Sequence, residues 1–296
     1  MTEIVVRNLF KDYGTSRVLE HVNATLPDHE FCVVLGPSGA GKTTFLRLLL
    51  SQEQPTRGEI LIDGSPIDPE PQPDRGVVFQ RYSVFPHRTV LQNVVMGVAL
   101  RRAPILGRLF GGERKEVEAR ARELLAQVGL AEAVDKYPAQ LSGGMQQRLA
   151  IAQALIMEPK VLLLDEPFGA LDQSTRRSMH RLILDLWEAN HMTIVMVTHD
   201  IQEAFTLGTR VLMIDRQRRE EESPDVYGST ITHDVRLDPA TKPELDRSEG
   251  ESDDSMHDIF DKWVRRMGEA VISDTTDGSP ASAAGEGVRR AMWSAA

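Results

Sequence analysis

The sequence predicts an α/β fold whose core is a mainly parallel β-sheet. Candidate strands alternate with amphipathic helices up to Asp215, and this alternation is typical of strand–helix–strand units with parallel strands. One candidate strand, Val161–Leu164, is apolar at every position, as expected of a strand covered on both faces. After Asp215 the pattern ends, so the sheet is predicted to end there as well.

The individual elements follow from hydrophobic period and from turn residues. The predicted strands are Ile4–Leu9, Phe31–Leu35, Glu59–Ile62, Gly76–Phe79, Val161–Leu164, Thr193–Val197 and Arg210–Ile214. The predicted helices are Phe45–Leu50, Glu113–Val128, Gly144–Ile156, about Ser174–Ala189, and a short one from Ile201. Asp63-Gly64 predicts a hairpin turn, and Gly129 predicts the end of the second helix.

A phosphate-binding loop is predicted between the second strand and the first helix. Its sequence fits G-x-x-x-x-G-K-[ST] in the strand–loop–helix context that this motif requires. Glycines let backbone N–H groups turn toward phosphate oxygens, and the helix directs its positive end to the same point. Lys42 is predicted to reach the β- and γ-phosphates of ATP, and the Thr43 hydroxyl to bind Mg²⁺. The predicted binding residues are Gly36, Pro37, Ser38, Gly39, Ala40, Gly41, Lys42, Thr43 and Thr44.

Acidic residues and a histidine follow two later strands. Asp165 ends an apolar strand and is predicted to lie near Mg²⁺, while Glu166 is positioned to polarise an attacking water as general base. His199 follows the strand Thr193–Val197 and is predicted to face the nucleotide from the carboxyl end of the sheet. Each signal is weak alone and gains its weight from the phosphate loop upstream.

Composition and charge limit the classes of function. The 296 residues carry a net charge of −10, and residues 220–296 hold 18 acidic and 8 basic residues, which accounts for all of it. Neither part has the basic balance of a nucleic-acid-binding protein, so no nucleic acid partner is expected. With Cys32 as the single cysteine, no secretory signal and no apolar stretch of about 20 residues, we expect a cytosolic protein in a reducing compartment.

A further motif, from Leu141 to Arg148, places Ser142, Gly143 and Gly144 at a predicted helix start. The residues alone leave two interpretations open, an ordinary capped helix and an anion-binding helix terminus. This segment resembles the signature sequence of ATP-binding cassette (ABC) ATPases. The resemblance covers about residues 3–215, with all motifs in the order found in that family.

The resemblance implies roles for further residues. Tyr13 matches the aromatic residue that stacks on adenine, and Gln80 matches the Q-loop glutamine. By this resemblance Gln80 is a catalytic residue, and it also binds Mg²⁺ together with Thr43 and Asp165. Phe168–Asp172 matches the D-loop, so Asp172 is expected at the nucleotide site, and His199 matches the switch histidine. The family works as a head-to-tail pair, which implies a second cassette, identical by expectation. Ser142, Gly143 and Gly144 would then bind the γ-phosphate of the partner's ATP.

Resemblance also suggests what the cassette drives. The segment Gln80–Val90 is similar to bacterial importers of the nitrate/sulfonate/taurine group, which implies permease subunits bound through Arg81–Arg88 and, indirectly, a solute-binding protein. Three segments are similar to a subgroup associated with urea-carboxylase gene clusters, namely Met145–Arg148, Met192–Asp200 and Ile231–Asp234. The expected location is the cytoplasmic side of the inner membrane. An exporter ATPase, or a soluble ABC ATPase acting on ribosomes or DNA, are the alternatives.

The expected domain organisation is an ABC ATPase domain over residues 1–219 and an acidic, largely flexible extension over 220–296. By resemblance the ATPase domain contains an antiparallel β subdomain and an inserted helical subdomain at about 90–158. Within the latter, the basic and apolar residues 101–112 are predicted to form a surface loop, with contact to a membrane subunit as the alternative.

Overall fold

The computed structural model describes residues 2–79, 84–102, 110–216 and 227–237. Ten strands in these ranges form a single sheet with the order β5-β4-β1-β2-β10-β9-β3-β8-β7-β6. The strands are β1 Ile4–Tyr13, β2 Ser16–Leu26, β3 Phe31–Leu35, β4 Arg57–Ile62, β5 Ser65–Pro66, β6 Arg75–Val78, β7 Val161–Asp165, β8 Thr193–Thr198, β9 Arg210–Arg216 and β10 Ser229–Arg236.

The sheet has a parallel half and a mainly antiparallel half. Strands β9, β3, β8, β7 and β6 run parallel to one another. Strands β5, β4, β1 and β2 are antiparallel, and β10 joins the halves, antiparallel to β9 and parallel to β2. The predicted parallel core and antiparallel β subdomain are therefore both confirmed.

Helices cover the sheet and form a separate layer beside it. They are α1 Lys42–Leu49, α2 Val90–Arg102, α3 Gly111–Gln127, α4 Gly143–Leu155, α5 Gln173–Asn190 and α6 Ile201–Leu207. Helices α2, α3 and α4 follow β6 and precede β7 in the sequence, and they pack on one another, as expected for the inserted helical subdomain. No helix in the described ranges combines the length and the apolar character needed to cross a bilayer.

Strand β3 is apolar at every position and is buried on both faces of the sheet. All five of its side chains are fully buried. Phe31, Val33 and Leu35 belong to the core cluster that includes the helical subdomain and α5, whereas Cys32 and Val34 belong to the cluster around α1. Because successive side chains of a strand point to opposite faces, this one short apolar strand contributes side chains to two hydrophobic cores.

Strand β10 corrects the predicted domain boundary at residue 219. It pairs with β9 along its whole length, so the sheet extends to Arg236. The buried Arg210 guanidinium of β9 makes two hydrogen bonds to the carboxylate of Asp234 in β10, at 2.7 and 2.6 Å, and also contacts Glu30 at 3.3 Å. Sequence analysis missed this strand because Ser229–Arg236 is mostly polar and is followed by the acidic tail. The rest of the predicted flexible extension, residues 220–226 and 238–296, lies outside the described residues.

Candidate functional site

The phosphate loop is formed by the abrupt change from β3, which ends at Leu35, to α1, which begins at Lys42. Gly41 is the N-cap of α1 and has a φ of 85°, in the left-handed region that favours glycine. A Cβ on Gly36 would lie 2.2 Å from the carbonyl oxygen of Ile214, so this position accepts no side chain. The loop can therefore bring backbone N–H groups and the positive end of α1 to one point.

Lys42 lies over the loop that precedes it. Its Nζ donates to the carbonyls of Gly36 at 2.8 Å and Pro37 at 2.9 Å. Burial lowers the pKa of the ammonium, and the nearby carboxylates of Glu166 and Asp165 oppose that shift. A desolvated cation at the centre of a loop of amides is suited to bind a polyanionic phosphate chain.

Thr43 and Asp165 provide an oxygen-rich pair next to the loop. The Thr43 hydroxyl donates to Asp165 Oδ1 at 3.2 Å, although the two residues are 122 positions apart in the sequence. Burial raises the pKa of Asp165, and the hydrogen bond from Thr43 partly offsets this. A hydroxyl and a carboxylate are hard oxygen donors of the type that Mg²⁺ prefers, so the donor set fits this ion.

Glu166 follows Asp165 in the sequence, and His199 lies next to Glu166. The Nδ1 atom of His199 is 3.2 Å from Glu166 Oε1. Glu166 has a φ of 44°, uncommon for a residue with a side chain, and its backbone N–H is fixed by the carbonyl of Val197 at 3.0 Å. Such strain costs on the order of 1–3 kcal/mol and persists where the surrounding structure enforces it, which is typical of functional sites.

Tyr13 lies at the end of β1, beside the start of α1. Its hydroxyl hydrogen-bonds to Glu53 and also interacts with Thr44 of the loop. Lys11 pairs with the same Glu53 at 3.1 Å and lies 4.9 Å from the centre of the Tyr13 ring. The ring is 44% exposed, so one face is accessible to a planar ligand next to the phosphate loop.

The signature residues begin α4 on another part of the chain. Ser142 caps this helix by accepting a hydrogen bond from the N–H of Met145 at 3.3 Å. Gly144 is buried against α5, where an added Cβ would lie 2.5 Å from Cγ2 of Thr175. Gly143 is exposed at the helix start. Asp172 caps α5 and accepts hydrogen bonds from Thr175 and Ser174, which lower the pKa of its carboxyl group.

The described contacts bring most of the predicted residues into one cluster. Lys42, Thr43, Asp165, Glu166 and His199 are joined by the interactions above, and Tyr13 and Thr44 border them. The side chains of Ser142 and Asp172 instead accept hydrogen bonds at the starts of their own helices. Gln80 lies outside the described residues, as does the segment 81–83. The roles of all these residues stay predictions.

Asn93 is a structural residue that sequence analysis did not single out. Its buried side chain accepts from the N–H of Phe85 at 2.7 Å and donates to the carbonyls of Phe85, Arg88 and Thr89 at 3.0–3.1 Å. It therefore fixes the loop 85–89, in which Phe85 is exposed. No local pattern distinguishes such an asparagine from one on a solvated helix face.

Comparison with known proteins identifies the family. The model of the family described as ABC transporter matches residues 19–169. The sulfate/thiosulfate import ATP-binding protein CysA of Bradyrhizobium diazoefficiens is 42% identical over 233 residues, covering 77% of this chain and 66% of that protein. The glutamine transport ATP-binding protein GlnQ of Escherichia coli is 41% identical over 231 residues, covering 75% of this chain and 92% of that protein.

A solved structure agrees with the sequence relatives. A dimeric ATP-binding cassette in a post-hydrolysis state, bound to ADP and Pi, matches with a TM-score of 0.62 and 30% identity over 79% of this chain and 98% of that chain. The chain belongs to the ABC transporter family and has the fold of its ATPase cassette.

Proposed function

We propose that this chain binds and hydrolyses ATP as one half of a head-to-tail dimer and thereby energises a membrane importer for a small solute. The observation that carries the proposal is the cluster of Lys42, Thr43, Asp165, Glu166 and His199, which combines phosphate binding with a candidate base. The signature residues lie at the start of α4, where Ser142 caps its own helix and Gly144 packs closely against Thr175 of α5. A second subunit supplies that element to the same nucleotide.

In the proposed reaction the phosphate loop holds the β- and γ-phosphates, with Lys42 as their counter-charge. Bound between Thr43, Asp165 and Gln80, Mg²⁺ would neutralise part of the phosphate charge. Glu166 accepts a proton from the attacking water, and His199, whose Nδ1 lies 3.2 Å from Glu166 Oε1, orients that water and the γ-phosphate. Tyr13 stacks on the adenine, and Asp172 holds the start of α5 next to the partner subunit.

The importer assignment is supported by the names of the relatives and by the loop 85–89. Relatives at similar identity are named for sulfate/thiosulfate and for glutamine transport, so identity does not select a solute. Phe85, 38% exposed, stands on a loop that Asn93 makes rigid, and His87 is exposed beside it. Permease subunits would bind here, through Arg81–Arg88, with a solute-binding protein acting from the other side of the membrane. The nitrate/sulfonate/taurine group, including its urea-carboxylase-associated subgroup, is the narrower proposal.

Co-purification tests this function. The tagged chain is isolated in mild detergent from membranes of cells that express it with the permease encoded nearby, and its ATPase rate is measured in liposomes. We expect polytopic subunits in stoichiometric amounts, and an ATPase rate that rises when a solute-loaded binding protein is added. Phe85→Glu should abolish the complex, because it places a charge in an apolar contact, while the ATPase rate of the isolated chain stays unchanged. Tyr137→Glu is the control, because Tyr137 is also an exposed aromatic residue, at 47% against 38% for Phe85. A chain that is active only with nucleic acid or ribosomes would reject the proposal.

A further inference from the structure

Arg176, in the first turn of α5, contacts three segments around His199. Its Nη2 donates to the carbonyl of Leu171 at 3.4 Å, and its Nη1 donates to Asp200 Oδ2 at 3.4 Å. Its Nε lies 3.7 Å from Glu203 Oε1. One planar cation with several directed N–H groups therefore joins the segment before α5 to the N-cap and to the first turn of α6.

Glu203 is the buried end of this network. Its side chain is 6% exposed, and its Oε2 accepts a hydrogen bond from Thr198 Oγ1 at 2.7 Å. The same Thr198 oxygen accepts from the N–H of Asp200 at 3.0 Å. His180 Nε2 also approaches Glu203 Oε1, at 3.8 Å. Because a buried carboxylate is costly without a counter-charge, electrostatics keep Arg176 at this position.

His199 lies between two members of the network, Thr198 and Asp200. Its imidazole faces Glu166 at 3.2 Å, so the network fixes the backbone on both sides of this catalytic candidate. At the other end, the carbonyl that Arg176 holds belongs to Leu171, directly before Asp172. The guanidinium therefore bridges the segment Leu171–Asp172 and the residues that follow His199.

We propose that Arg176 is a positioning residue that couples His199 to Leu171–Asp172, so that docking of a partner subunit on this segment sets the imidazole at the γ-phosphate. The inference rests on the proposed function, because it assumes ATP hydrolysis in a dimer. Arg176 does not touch the nucleotide; it acts through His199. Partner contact would thus be required for turnover even where one subunit already binds ATP.

The test compares Arg176→Met and Arg176→Lys with Arg177→Met, which removes an exposed arginine from the same turn. For Arg176→Met we expect kcat to fall about 10- to 100-fold, since a small misplacement of a catalytic group has effects of this size. The Kd for a fluorescent ATP analogue and the KM should stay within about twofold, because Lys42 and the loop are intact. Arg176→Lys should recover only part of kcat, since its point charge replaces one of the three contacts. Arg177→Met should match the wild type.

A double-mutant cycle with His199→Ala separates positioning from a structural role. If Arg176 acts through His199, Arg176→Met causes no further loss of kcat in the His199→Ala chain. Arg176→Met/Glu203→Gln removes the uncompensated buried charge, so that chain should regain its melting temperature but not its kcat. Equal losses in both backgrounds, or recovery of kcat together with the melting temperature, would overturn the inference. Absence of ATPase activity in the wild type would instead refute the proposed function.

Discussion

At the scale of single residues, Glu166 shows how the fold and the chemistry are linked. Its positive φ turns the chain between β7 and the following segment, and the N–H···O bond to Val197 fixes that turn. The Glu166 carboxylate then lies 3.2 Å from His199. Glu166 directly follows Asp165 in the sequence, and its backbone is bonded to β8 through Val197. The strained backbone thus lets two adjacent acids reach different partners, Asp165 the Thr43 hydroxyl and Glu166 the His199 imidazole, as the two roles proposed for them require.

Replacing Glu166 with glutamine tests this assignment. The amide keeps the size of the side chain but cannot accept the proton, so turnover should fall at least about 100-fold, the usual contribution of a general base. ATP binding should persist, and a dimer should accumulate in the presence of ATP, as measured by size-exclusion chromatography with light scattering. Glu188→Gln, on the exposed face of α5, is the control. Hydrolysis near the wild-type rate would show that Glu166 is not the base.

At the scale of elements, the end of α3 and the signature helix α4 are connected by one arginine. Arg148 of α4 donates to the carbonyl of Val128 at 2.7 Å and to Ser178 of α5 at 2.6 Å. Gly129, with a φ of 73°, ends α3 and leaves the space that the guanidinium occupies. The helical subdomain is therefore joined to the sheet domain through the same helix that presents Ser142 and Gly143.

Gly129→Ala should disturb this junction. The new Cβ would lie 2.9 Å from Arg148 Nη1, and alanine also resists the positive φ. We expect a loss of about 1–2 kcal/mol in the free energy of unfolding, measured by urea denaturation. Gly112→Ala is a matched control, since a Cβ there meets open space at the start of α3, and it should be neutral or stabilising by up to about 1 kcal/mol. Equal effects of the two changes would contradict this account of the junction.

Sequence alone predicted those elements whose signals are local. The strand before the phosphate loop, Gly129 as a helix stop and the run Val161–Leu164 are examples, because apolar period and glycine geometry are properties of adjacent residues. The contacts among Lys42, Thr43, Asp165, Glu166 and His199 agree with part of the predicted site, whereas Gln80 lies outside the described residues. Sequence analysis missed β10, a mostly polar strand held by its pairing with β9 and by the buried pair Arg210–Asp234. It also missed Asn93, whose partners are backbone groups of the preceding loop, and Arg176, whose acidic partner Asp200 lies 24 residues away in the sequence.

At the scale of the whole molecule, the sheet is complete only with β10. This strand lies between β9 and β2 and so connects the parallel and the antiparallel halves. It also provides Asp234, the bidentate partner of a guanidinium that is only 3% exposed. The chain after Arg216 therefore contributes to the ATPase domain through at least one strand, despite its acidic composition.

Two truncations separate the strand from the rest of the extension. A chain ending at Leu237 keeps β10 and should melt near the full-length temperature. A chain ending at Arg216 lacks β10 and Asp234, so Arg210 keeps only Glu30 as a counter-charge, and removing one partner of a buried ion pair costs about 3–5 kcal/mol. Its melting temperature, followed by circular dichroism, should fall by several degrees or more. Equal melting temperatures for the two chains would show that β10 adds nothing to the stability of the sheet.

The central claim is that Lys42 of one subunit and the signature residues of another share one ATP, and a complementation assay tests it most directly. Lys42→Ala and Gly143→Asp carry different tags, are co-expressed, and are purified through both tags so that every dimer is mixed. Each variant alone should be inactive. In the mixed head-to-tail dimer one of the two sites is free of both changes, so we predict about half of the wild-type ATPase rate per dimer. A mixed dimer as inactive as either variant alone would contradict the account, because Lys42 and Gly143 would then serve the same site from one chain.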